Sequence, residues 1–182
     1  MLVMLCTIPH PMLNHMNDQS SHSHICHIII DAASWKAKTT DWEPYIAHLA
    51  QAVLDEFDWP RPVEVNIKLT DNAEIQELNR QYRGKDKPTN VLSFPALDDI
   101  SSKLMPPDLP LILGDIALAY ETIEQEAIDQ NKVFDHHVSH LVVHGLLHLI
   151  GYDHETDAEA EAMESLEIDI LKKQSISNPY KE

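Results

Sequence analysis

A chain of 182 residues, 43% hydrophobic and 24% charged, is long enough for one domain with a properly buried core. Thirty acidic residues against thirteen basic ones leave a net charge of −17, which taken alone disfavours a phosphate backbone as partner. Cys6 and Cys26 make no disulfide framework, no apolar run reaches membrane-spanning length, and the opening MLVMLCTI lacks a basic n-region, so the expectation is a soluble cytoplasmic protein without membrane contact.

Residues 1–26 show no sustained period and carry His10, His15, His22 and His24, which predicts a disordered extension ahead of a single domain over 27–180. HIIID (His27 to Asp31) reads as a first short strand. Ile46, Leu49, Ala50, Val53, Leu54 and Phe57 follow helical spacing behind the start signals Asp41 and Pro44. VEVNIKL (Val63 to Leu69) alternates strictly, as a half-buried strand does. Asp71 with Glu74 three residues later then opens a helix whose apolar face uses Ile75, Leu78 and Tyr82.

RGKDKPTN (Arg83 to Asn90) is a loop by its glycine and proline, and VLSF after it a brief buried strand. The proline-rich stretch from Pro95 to Pro110 predicts a flexible excursion. LILGDIALA (Leu111 to Ala119) reads as a central strand in which Gly114 marks a bulge or a close approach. Helices are expected over about 120–130, 133–150 and 157–173. Early strands and late helices place the chain in the α+β class, with a small mixed sheet.

HGLLHLIGYDH, His144 to His154, lies near the end of the last long apolar stretch. His144 and His148 are four apart, so a helix projects both from one face at the separation two imidazoles need to hold one ion. Gly151 suits a left-handed helix end, after which the chain doubles back and His154 supplies a third ligand. Three protein ligands leave a fourth position open, the catalytic rather than the structural arrangement. The spacing is that of the metzincin peptidases, on a zincin-like helix, but those carry Glu directly after the first His as general base, and here Gly145 stands there. His140, one turn before His144, is expected as an outer partner or packing residue; His136 and His137 as solvated; and the acids from Asp153 to Asp169, Glu155 included, as a solvated helix face or outer partners.

A second feature opposes the acidic average. Arg80, Arg83, Lys85 and Lys87 lie within eight positions with only Asp86 against them, and Gly84 and Pro88 let that loop approach a backbone closely.

HGLLHLIGYDH and TDNAEIQELNRQYRGKDKPTNVLSFP (Thr70 to Pro95), with LGDIALA and EAEAMESLEIDIL, resemble the YbeY endoribonucleases, also described as rRNA maturation factors. The resemblance covers about residues 27–180; Asn90 stands where many members have Asp. It implies a zinc-dependent, single-strand-specific endoribonuclease acting on the 3′ end of small-subunit rRNA and in ribosome quality control. It carries metal ligation by one Zn2+ (or Ni2+ as purified) to His144, His148 and His154, and a catalytic role to Arg83; Arg80, Lys85 and Lys87 would bind the RNA, and the small ribosomal subunit would be the partner. The competing readings are a non-catalytic ribosome assembly factor with a structural metal, and a zinc metallopeptidase, which would need the missing carboxylate.

Overall fold

Alternation between Val63 and Thr70 puts Val63, Val65, Ile67 and Leu69 on one face, each with no exposure, and this strand lies in the interior of the sheet. The computed structural model describes residues 23–96, 106 and 108–181. Along them run β1 (Ile25–Ile30), α1 (Ala33–Lys36), α2 (Trp42–Leu54), β2 (Val63–Thr70), α3 (Asn72–Arg83), β3 (Val91–Pro95), β4 (Leu111–Ala119), α4 (Tyr120–Asp129), α5 (Phe134–Ile150) and α6 (Asp157–Lys173). The strand order is β1-β2-β4-β3, with β1, β2 and β4 parallel and β3 antiparallel to β4, so the class is α+β with a mixed sheet.

The register between β2 and β4 shifts where Glu64 faces Ile112 but Val65 faces Gly114. Gly114 has φ 136°, and a Cβ there would sit 2.2 Å from the Phe94 carbonyl oxygen, so the bulge admits only glycine.

The helices divide between the faces. α2 and α5 cover one face with Trp42, Ile46, Leu49, Val53, Val138, Val142, Leu146 and Leu149, all buried. Burying each such side chain is worth about 1.5–3 kcal/mol, so α5 is a rigid mount for whatever it carries. On the other face α3 sets Ile75 and Leu78 over Leu92, Phe94, Ala117 and Ala119; the two alanines let the helix sit close. The edge strand β3 is therefore held between α3 and α5.

Asp71 caps α3 by accepting from the Glu74 backbone N–H, but the Glu74 carboxylate turns instead to Lys68 and Thr70. β1 begins two residues earlier than its pattern predicts: Ile25 and Cys26 already pair with Glu64 and Val65, and His24 Nδ1 accepts from the Val63 N–H at 3.2 Å. Residues 1–22 of the expected extension, and 97–105 and 107 of the proline-rich excursion, lie outside the described residues. Tyr82 departs from the expected apolar face of α3: it is 67% exposed, with one side of its ring against Phe94 of the edge strand β3. Among the described residues no helix is long and apolar enough to cross a membrane.

Candidate metal centre

α5 ends at Gly151, which takes the left-handed conformation at φ 103° and donates its N–H to the His148 carbonyl. The reversed chain brings His154 back over the last turn. One ring nitrogen each from His144, His148 and His154 lies within 4.8 Å of the others. His144 and His154 are stacked at 5.5 Å between centroids, and His148 stands edge-on to both.

Each of the two helix histidines has its inner nitrogen committed. His144 Nδ1 donates to Glu167 Oε1 at 2.8 Å, and His148 Nδ1 donates to the Tyr152 carbonyl at 3.0 Å. The Nε2 atoms are then lone-pair donors, and they face each other at 3.1 Å. Two bare lone pairs at that distance repel unless a shared cation or a proton stands between them. Two imidazole nitrogens on a tetrahedral zinc lie about 3.3 Å apart, given bonds of about 2.0–2.1 Å, so the pair fits such an ion closely. An all-imidazole set suits zinc, nickel, copper or iron. Burial first, then the neighbouring His144 and His154, lowers the His148 pKa to about 4, which keeps its ring neutral as ligation requires.

Glu167 corrects the expectation of a wholly solvated acidic face on α6. It has no exposure at all, whereas Glu159, Glu161 and Glu164 beside it are exposed. Burial pushes its carboxyl up, but hydrogen bonds from His140, His144 and Tyr180 outweigh that and hold it at about 2. Asp153 accepts the His154 backbone N–H at 2.8 Å, and Glu155 is exposed. His137 also departs from expectation. It is 5% exposed, and its Nε2 meets Glu126 at 2.8 Å. Glu126 in turn accepts from the Asn90 amide at 3.0 Å, a bond that an aspartate at position 90 would lack a donor to make. This tie fixes α4, α5 and the start of β3 together.

The basic loop leaves α3 through Gly84, left-handed at φ 67°. Buried Asn79 pins it by donating to the Lys87 carbonyl at 2.7 Å and accepting the Lys85 N–H on its own carbonyl. Arg80 is engaged by a forked contact with Glu77 at 2.6 and 2.9 Å, which takes its charge out of the island. Arg83, Lys85 and Lys87 are exposed and have no ion pair among the described residues. Beside them the exposed Tyr82 ring stands edge-on to Phe94 at 5.0 Å. Two successive residues of β3 reach the helices on either side: the Ser93 hydroxyl donates to the Gly145 carbonyl of α5 at 3.1 Å, and Phe94 meets Tyr82 of α3.

The family model "Endoribonuclease YbeY" matches residues 28–175. The chain belongs to the YbeY endoribonuclease family. It is 50% identical to the endoribonuclease YbeY of Rhodopseudomonas palustris strain BisB18 over 84% of this chain and 90% of that one. It is 62% identical to that of Nitrobacter winogradskyi over 117 residues, which are 64% of this chain and 61% of the relative. The fold is similar to the solution structure of TM1509 from Thermotoga maritima, with a TM-score of 0.51 and 27% identity over 87% of this chain and all of the other. YbeY family membership makes the chain an endoribonuclease, a hydrolase of RNA phosphodiester bonds. The Glu167 carboxylate, the Glu126–His137 pair and the exposed Tyr82 are the residues that sequence reasoning missed.

Proposed function

We propose that the protein is a zinc-dependent, single-strand-specific endoribonuclease of the cytoplasm, acting on the 3′ end of small-subunit rRNA and in ribosome quality control, with the small ribosomal subunit as its partner. The convergence of His144, His148 and His154 carries the metal part of this reading. A divalent ion held by the three imidazoles would supply Lewis acidity toward a phosphoryl oxygen and acidify water.

The chain's own residues do the rest. Arg83 offers a planar fork to the scissile phosphate and stabilises charge as it develops there. Lys85 and Lys87 draw the RNA backbone toward the edge of β3, and Arg80 joins them only by giving up its contact with Glu77. Tyr82 presents a ring on which an unpaired base stacks, which a base held in a duplex cannot do. The acids of α6 repel phosphate from the neighbouring surface, so the strand is steered to the basic edge.

Elemental analysis of the purified protein, paired with cleavage of a labelled single-stranded RNA, tests this reading. About one zinc or nickel per chain is expected from the donor set, together with cleavage that chelation abolishes and zinc restores. Retained cleavage after complete metal removal would refute metal dependence. Bound metal with no cleavage by any preparation would favour a structural ion in an assembly factor.

A further inference from the structure

We propose that Glu167 and Tyr180 form a positioning device for His144, setting its tautomer and ring orientation for the ion. The proposal rests on the His144, His148 and His154 metal centre argued above.

Glu167 projects from α6 into the space beside α5, and among the described residues no other carboxylate is buried. Oε1 accepts from His144 Nδ1 at 2.8 Å. Oε2 accepts from His140 Nε2 at 3.0 Å and from the Tyr180 hydroxyl. Tyr180 follows a turn in which its N–H donates to Asn178 Oδ1 at 2.8 Å, and its ring stands edge-on to His140 at 5.2 Å. The carboxylate is thereby fixed from the side away from the metal centre by two donors, one from α5 and one from the segment after α6.

An apolar residue would fill the same space at less desolvation cost. What the carboxylate adds is a strong acceptor at His144 Nδ1. With the proton held there, the Nε2 lone pair has to face His148 Nε2, and the ring cannot flip without breaking a buried charge-assisted bond. His148 reaches the same state through the Tyr152 carbonyl. One ligand is therefore set by its own helix end, the other by α6 and the C-terminal segment. Tyr180 touches Glu167 and His140 rather than the His144 ring, and it acts by holding Glu167.

Zinc affinity measured by competition with a chromophoric chelator, and the visible bands of the cobalt-substituted protein, test this for Glu167→Gln, Tyr180→Phe and the His144→Ala/His148→Ala pair. Glu167→Gln is expected to lose about 10- to 100-fold in zinc affinity, the usual effect of removing an outer partner of a ligand, and to shift the cobalt bands. Tyr180→Phe is expected to lose a smaller factor with native far-ultraviolet dichroism. Wild-type zinc affinity and cobalt bands in both variants would overturn the proposal, even if their melting temperatures fell, because a purely structural role lowers stability without altering the ligand field. Should Glu167→Gln not fold, Tyr180→Phe decides alone: reduced affinity supports the device and wild-type affinity overturns it. The histidine pair separates the two levels. Unchanged metal binding there refutes the metal centre itself, whereas lost binding there with unaffected Glu167 and Tyr180 variants refutes only the positioning.

Discussion

Gly145 lies so close to Ile116 that a Cβ at position 145 would stand 3.1 Å from its Cδ1 and 3.2 Å from its Cγ2, with Ser93 Oγ also at 3.1 Å. The position that holds the general base of a metzincin peptidase is here pressed against β3 and β4. A side chain at this position makes Ile116 and Ser93 give way by a few tenths of an ångström, and a carboxylate introduced there meets an Ile side chain and a strand hydroxyl. Gly145→Glu is therefore expected to gain no peptidase activity and to lose stability by about 1–3 kcal/mol or more, from overpacking and a buried charge. Urea unfolding and a casein assay check both halves; a stable variant that cleaves casein would contradict them.

Arg83 is expected to govern cleavage more than folding. Arg83→Ala is expected to reduce RNA cleavage by about 10²-fold, the size of one lost transition-state donor. Arg83→Lys recovers only part, because an ammonium lacks the planar fork. Both keep stability within about 0.5 kcal/mol, as exposed substitutions do. Single-turnover cleavage and thermal melts report the two quantities separately.

Lys85 and Lys87 are expected to contribute by long-range attraction. Neutralising both is expected to weaken RNA binding at low salt and to flatten the slope of log affinity against log salt. An unchanged slope would mean that the loop does not meet the backbone.

Tyr82 is expected to act on substrate binding without acting on the metal. Tyr82→Leu still covers Phe94 but removes the stacking face, whereas Tyr82→Phe keeps it. RNA carrying 2-aminopurine should lose its binding-induced quenching with the Leu variant and retain it with Phe, at equal zinc content. Equal quenching in both variants would place the bases elsewhere.

Acid should unfold the metal-free protein in two overlapping stages. His148 is held below its ordinary value of 6.5 at about 4, so the unfolded chain takes up the proton first and stability falls as pH drops from about 6.5 through 4. Glu167 is held below 4.5 at about 2, so its contribution is present above 4.5 and lost as pH falls toward 2. His148→Gln is expected to flatten the upper stage and leave the lower one, as read from urea midpoints across pH in the presence of a chelator.

Much of this molecule is written in short-range periods. The strict alternation of Val63 to Leu69, the i, i+4 relation of His144 and His148, and the glycine that ends their helix are each settled by the geometry of one element, so the strand, the helix and the convergence of three imidazoles are legible in the chain. The bulge at Gly114 is legible for the same reason, whereas Gly84, legible only as a loop glycine, takes the left-handed exit of α3. Other features depend on where an element docks. Tyr82 continues the helical stripe of Ile75 and Leu78, yet it is exposed, because at the edge strand β3 it meets the Phe94 ring edge-on instead of entering the cluster around Ile75. Glu167 did leave a signal, since Met163, Glu167, Ile170 and Leu171 fall at i, i+4, i+7 and i+8 and all are buried. In a helix with acids on every side, however, spacing does not tell which one has a buried partner. The partner of Glu167 is His144, 23 positions away, and the hydroxyl that steadies the pair comes from Tyr180, 40 positions beyond His140. A charge can be buried only where donors from separate elements meet it, and that meeting is decided by the packing of α6 and the C-terminal segment against α5, to which no local period refers.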